Sequence, residues 1–179
     1  FKLPQGAPRS TMWPTEASFK SDTGEVLGKC ARQAWYDWKG LEPTNPVDQK
    51  GEAIFDMGNM IEAWYVDLAK SVGMWVANDI KFYDEETSIS GKIDMLIREN
   101  DGIAGIECKS FYGHYADKEL KESPKIDHLM QVVLYLVYLN RLNPPEWSKR
   151  FYIEYFGRDT CLMYEHLVEL VSIDGKTYP

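Results

Sequence analysis

Residues 88–111, SISGKIDMLIRENDGIAGIECKSF, hold two strand-like runs around a tight-turn signal. The runs, about Ser88 to Arg98 and Ile103 to Phe111, are rich in β-branched and apolar residues, and Asn100-Asp101-Gly102 between them predicts an antiparallel hairpin. Side chains alternate between faces along a strand, which sets Ile93, Met95 and Ile97 on one face of the first run and Lys92, Asp94 and Leu96 on the other. In the second run Ala104, Ile106 and Cys108 form a small apolar face, while Gly105, Glu107 and Lys109 share the opposite one. With Asp101-Gly102 as a two-residue loop, Asn100 pairs with Ile103, Asp94 falls opposite Lys109, and Glu107 lies on the diagonal. A loop one residue earlier pairs Asp94 with Glu107 and keeps the shared face, whereas a three-residue loop without a bulge separates them.

Upstream of this hairpin, a polar, Pro-containing lead from Phe1 to Ser21 precedes a predicted helix over Gly24 to Lys39, with Val26, Leu27, Cys30, Ala34, Trp35 and Trp38 at roughly helical spacing. Gly40 and the Pro43 to Pro46 segment break it. A second helix is expected from Gln49 to Val72, its core stripe Ile54, Met57, Ile61, Trp64, Leu68 and Val72. Gly73 ends that helix and a strand follows over Trp75 to Tyr83. Downstream, a polar helical piece from His114 to Glu122 leads to Ser123-Pro124, the expected N-cap and first residue of an apolar helix reaching Asn140. Two strands close the chain, Arg150 to Phe156 and Cys161 to Val171, around a turn at Gly157 to Thr160. This order predicts an α/β fold with a mixed central β-sheet flanked by helices.

At 179 residues the chain is expected to form a single domain over 1–179. Hydrophobic residues make up 44% and charged residues 27%, the balance of a folded globular protein. No run approaches the roughly 18 apolar residues that cross a bilayer, and no signal peptide opens the chain, which predicts an intracellular, cytoplasmic protein with no membrane partner. The three cysteines include no close pair, so no disulfide framework is expected. A start at Phe1 and a stop at Pro179 just after a strand suggest a domain excised from a longer chain. The net charge of −8 weighs against a broad phosphate-tracking surface. It is compatible with a site that gathers carboxylates for a cation.

Two carboxylates converging beside a lysine repel each other unless a cation joins them. Oxygen ligands from Asp94 and Glu107, with a strand carbonyl such as that of Cys108, suit Mg²⁺ or Mn²⁺. Lys109 beside them can orient a water or stabilise charge on a phosphate. The competing reading of the same residues is a surface ion cluster on a solvated sheet face.

Ser90-Gly91-Lys92-Ile93-Asp94 followed by Gly105-Ile106-Glu107-Cys108-Lys109 resembles the G-x-x-D and E-x-K core of the PD-(D/E)XK nuclease superfamily. Gly58 with Glu62 upstream, and Gln131 with Tyr135 downstream, resemble the flanking motifs of its RecB-like branch. Glu62 stands where many RecB-like members carry His, which is closer to the phage lambda-type exonucleases. The resemblance implies a restriction-endonuclease-like core and a Mg²⁺- or Mn²⁺-dependent deoxyribonuclease, an exonuclease acting in DNA repair, recombination or phage replication. It implies one or two ions held by Glu62, Asp94, Glu107 and the Cys108 carbonyl, catalysis by Asp94, Glu107 and Lys109, and substrate contacts from Gln131 and Tyr135. The implied partners are single-stranded DNA or duplex ends, with a helicase or recombination protein and self-association also compatible. The alternative is a noncatalytic nucleic-acid-binding or scaffold domain of the same superfamily.

Cys30-Ala31-Arg32, with Trp35 and Tyr36, resembles the entry helix of iron-sulfur RecB-like nucleases. Such a cluster takes four cysteines, so no iron-sulfur cluster is expected and Cys30 is assigned to core packing. Among the histidines, His114 is the one expected near the site; Lys118, Lys121 and Lys125 offer a candidate phosphate-contacting patch.

Overall fold

The hairpin expected at residues 88–111 is the middle of a five-stranded sheet. The structure, a computed structural model, describes residues 10–173 and 176–178. Its elements are β1 (Ser18–Lys20), β2 (Val26–Gly28), α1 (Ala31–Trp38), α2 (Gln49–Ser71), β3 (Trp75–Asp84), β4 (Ile89–Glu99), β5 (Gly102–Phe111), α3 (His114–Glu122), α4 (Ile126–Leu142), β6 (Trp147–Gly157), β7 (Met163–Glu169), β8 (Val171–Ile173) and β9 (Lys176–Tyr178). The main sheet runs β3-β4-β5-β6-β7. Only β5 and β6 are parallel, and α3 with α4 supplies the crossover that parallel neighbours require.

Two apolar layers cover the sheet. On one face Val132, Leu136 and Leu139 of α4 pack with Phe151, Ile153 and Tyr155 of β6. On the other, Tyr65, Val66 and Ala69 of α2 pack with Met95, Ile97, Ala104 and Ile106, joined by Tyr152 and Phe156. Residues 151, 153 and 155 serve one layer and 152 and 156 the other, as strand alternation demands. The fold is therefore α/β, a mixed sheet flanked by helices. Gly105 permits the closest approach within it, since a Cβ there would lie 2.2 Å from the Phe151 ring of the neighbouring strand. Among the described residues no helix is long and apolar enough to cross a membrane.

Several expectations need correction. The helix predicted over Gly24 to Lys39 is helical only from Ala31; Val26 and Leu27 belong to β2, which pairs with β1 inside the supposed irregular lead, whose first nine residues lie outside the described part. Cys30 is exposed at the helix start and packs in no core. In α2 the expected stripe is largely on the surface: Met57 is 45%, Trp64 44% and Val72 61% exposed. The buried face is Tyr65, Val66 and Ala69, about a quarter turn away at 100° per residue. Counting bulky apolar residues favoured Met, Trp and Leu, whereas the sheet accepts α2 through smaller and polar-tipped side chains. The long helix α4 begins at Ile126, after Ser123-Pro124, with Lys125 as its N-cap. The first of the two loop registers for the hairpin is also displaced: Glu99 pairs with Gly102, so the loop is Asn100-Asp101.

Candidate active site

The site grows from an irregularity in β4. Gly91 pairs with Phe82 and Ile93 with Ile80, and these residues join the α4-side layer. Lys92 reaches the other way, to Glu62 of α2. Two residues on, Met95 and Ile97 lie in the α2-side layer. The alternation of β4 thus changes phase at Asp94, and the expected common face of Ile93, Met95 and Ile97 does not form. Opposite, on β3, Asp79 adopts φ +54°, a left-handed conformation that Asp tolerates better than most residues.

The β4–β5 ladder runs from Glu99↔Gly102 to Met95↔Ile106. One step further, Asp94 turns its carboxylate to the β5 backbone, and its Oδ2 accepts the Cys108 N–H at 2.9 Å. Counting outward along this register sets Asp94 opposite Glu107, the second of the two arrangements open in the sequence. Glu107 is 2% exposed, and its Oε1 accepts from Lys109 Nζ at 2.5 Å and from Gln131 Nε2 at 2.7 Å. Its other oxygen, Oε2, is buried without a hydrogen-bond partner. Gln131 also donates to the Tyr135 hydroxyl at 2.8 Å, which in turn donates to the Lys92 carbonyl at 2.9 Å. The two α4 residues therefore brace β4 and β5 around the carboxylates, the satisfied network that buried polar side chains require.

Glu62, Lys92, Asp94, Glu107, Cys108, Lys109, Gln131 and Tyr135 all line one cleft of about 830 Å³. The residues expected from sequence to bind metal, catalyse or contact substrate, namely Glu62, Asp94, Glu107, Cys108, Lys109, Gln131 and Tyr135, thus all line the same cleft. The same cleft is also lined by the apolar side chains of Trp13, Pro14, Ile54, Phe55 and Phe82. A Cβ added at Gly58, which also lines the cleft, would meet nothing within 4 Å, so this glycine keeps space open instead of admitting another backbone.

Electrostatics reflect this crowding. Burial, then the charges of Glu107 and Glu62, push the Asp94 carboxyl well above the usual carboxylate range. Glu107 is also raised, by burial first, although Lys109 beside it works in the opposite direction. Burial disfavours the charge on Lys109, but Glu107 outweighs it and the pKa stays above that of an ordinary lysine. The Cys108 thiol is raised well above its usual value by burial and by Asp94, so it is no ready nucleophile.

Paired buried carboxylates of raised pKa, one with an unsatisfied oxygen, fit a hard divalent cation in donor chemistry. Among the described residues no three His, Cys, Asp or Glu side chains already close around a common point. Each carboxylate is instead tied elsewhere: Glu107 to Lys109, Asp94 to the Cys108 N–H, and Glu62 to Lys92 at 3.2 Å.

Sequence reasoning did not find Lys92, Asp79 or the aromatic lining of the cleft. Trp13 and Phe55 sit in segments with no motif, and only the fold brings them to the carboxylates. Among the histidines it is His128, and not His114, that senses the site. Its Nδ1 lies 2.7 Å from the Tyr155 hydroxyl, and burial together with the Lys109 charge holds its pKa down to about 4. His114 does not line the cleft, nor do Lys118, Lys121 and Lys125.

No protein-family model matches this chain, and no curated protein matches it. A solved structure described as "Crystal structure of SSO0001" is similar over 92% of this chain and 70% of that chain, with a TM-score of 0.54 and 17% identity. At that identity the likeness is one of fold alone.

Proposed function

We propose that this chain is a divalent-metal-dependent DNA nuclease of the PD-(D/E)XK type, most similar in its motifs to the RecB-like and phage lambda-type exonucleases. The observation that carries the reading is the buried pair Asp94 and Glu107, meeting Lys109 and Glu62 in one cleft, with Glu107 Oε2 left unsatisfied. Burying two carboxylates together, with a third at the cleft wall, is costly for stability, and a site that binds cations gives that cost a purpose.

Glu62, Asp94, Glu107 and the Cys108 carbonyl are the groups that would hold Mg²⁺ or Mn²⁺. A bound ion supplies Lewis acidity toward a phosphodiester and lowers the pKa of water. The chain's own residues provide the remainder. Glu107 and Gln131 fix Lys109 at the carboxylate cluster, where its ammonium group can hold the attacking water or take up charge developing on the phosphate. Attack of the water oxygen on phosphorus breaks the P–O ester bond; the attacking water gives up its proton to solvent, and the departing ester oxygen takes one up from solvent to leave as the alcohol. The lining combines charged groups suited to phosphate with aromatic surface suited to a base.

The test is incubation of the chain with end-labelled single- and double-stranded DNA, with Mn²⁺ or with chelator, beside Lys109→Ala and Asp94→Asn. Cleavage that needs Mn²⁺ and drops by at least about a hundredfold in both variants is expected. Equal activity of Lys109→Ala and parent overturns the assignment. A second reading, a noncatalytic scaffold, draws on the exposed apolar row Ile54, Met57, Met60, Trp64 and Leu68 of α2; it predicts no cleavage in any of these reactions.

A further inference from the structure

Lys92 is the one group of the cleft that holds a site carboxylate and an outside carboxylate at once. Its Nζ lies 3.2 Å from Glu62 Oε1 and 2.7 Å from Asp79 Oδ1. Asp79 is not part of the cleft lining, and its position is independently secured: its Oδ2 accepts from Asn78 Nδ2 at 2.7 Å, and Asn78 Oδ1 accepts from Trp75 Nε1 at 3.2 Å. The Lys92 side chain is 41% and that of Glu62 22% exposed, so this pair is accessible and breakable, unlike the buried Lys109–Glu107 pair.

We propose that Lys92 is a built-in counter-ion that occupies Glu62 until a divalent cation displaces it, with Asp79 as the place where the ammonium group stays. This inference rests on the nuclease reading, in which Glu62 is a ligand. Geometry favours a two-position device over a static ion pair. The bond to Asp79 is the shorter of the two, and its acceptor is held by Asn78 on backbone of positive φ. Glu62 projects from a helix face at the cleft wall and is the carboxylate free to turn. When Glu62 turns to a cation, Lys92 loses one partner and keeps the other, so no ammonium is stranded. The ammonium thus competes with the metal for the same carboxylate oxygen, which lowers cation affinity in the resting protein.

Mn²⁺ binding to the full chain, followed by isothermal titration calorimetry, tests this without any turnover. Lys92→Met should bind Mn²⁺ about threefold to fivefold more tightly than the parent, the range a partly exposed ion pair converts to. Lys92→Arg, which keeps the charge and can fork onto Glu62, should bind no more tightly than the parent. Lys81→Met removes the same charge from the same cleft at a lysine other than the one Glu62 holds, and should leave the affinity within about twofold. A Lys92→Met affinity equal to the parent's, or an equal gain in Lys81→Met, overturns the competition. In that case weaker binding by Glu62→Gln still preserves the metal reading. Absence of any Mn²⁺ binding by the parent overturns both together.

Discussion

Asp94 and Glu107 are 8% and 2% exposed, and their carboxyl groups sit above the usual carboxylate range because burial disfavours their charges, helped by Glu107 and Glu62 at Asp94 and by Glu62 at Glu107. A carboxyl whose folded pKa is raised binds its proton more tightly in the native state than in the unfolded one, so stability falls as pH rises from the ordinary carboxylate range toward the folded value. Asp94→Asn should therefore unfold at higher urea concentration than the parent at neutral pH without divalent ions, by about 1 kcal/mol, and its stability should vary less with pH. Added Mn²⁺ should stabilise the parent and leave the variant nearly unchanged; a variant less stable than the parent under chelation would show that Asp94 has a purely structural role. Glu107 and Lys109 were legible in the sequence because strand alternation puts them on one face and the hairpin turn brings Asp94 alongside, whereas Gln131 and Tyr135 were placed there through the resemblance to RecB-like motifs. Asp79 was not legible, because a positive φ leaves no mark in a strand-like run, and with it went the second partner of Lys92.

Among the elements, the strands were easier to read than the helices. The runs for β3, β4 and β5 ended within about two residues of the observed strands, since turn residues mark their limits. α2 misled because it is apolar on two adjacent sides, and periodicity cannot say which side meets the sheet. Val66→Ala should cost about 1–2 kcal/mol by urea unfolding, as it removes methyl groups from a side chain that is 7% exposed. Met60→Gln, at a residue 71% exposed, should stay within about 0.5 kcal/mol of the parent. The reverse ranking would place the docking face of α2 where the larger apolar residues lie. At the N-terminal end, the β1–β2 hairpin was missed because Val26 and Leu27 precede a true helix at a spacing that also suits one.

For the molecule as a whole, a net charge of −8 disfavours broad electrostatic attraction to phosphate, so under the proposed function binding of a nucleic acid is expected to lean on the cleft. Trp13 is 51% and Phe55 61% exposed in the cleft lining, which offers a nucleobase a surface to stack on. Trp13→Ala should weaken binding of a single-stranded oligonucleotide by about tenfold, measured by fluorescence anisotropy in Ca²⁺, with Trp13→Phe retaining most of the affinity. Unaltered binding by the alanine variant would take the base-stacking role away from Trp13. The phase change in β4 bears on how such a site stays in shape. One half of that strand is keyed into the layer beneath α4 and the other half into the layer beneath α2, so sliding it to ease either layer would drive charged side chains into the other. Asp94 stands at the crossover and is pinned from both directions. The sheet itself thus holds the carboxylates of Asp94 and Glu107 in place, the preorganisation that the proposed cation site asks of them.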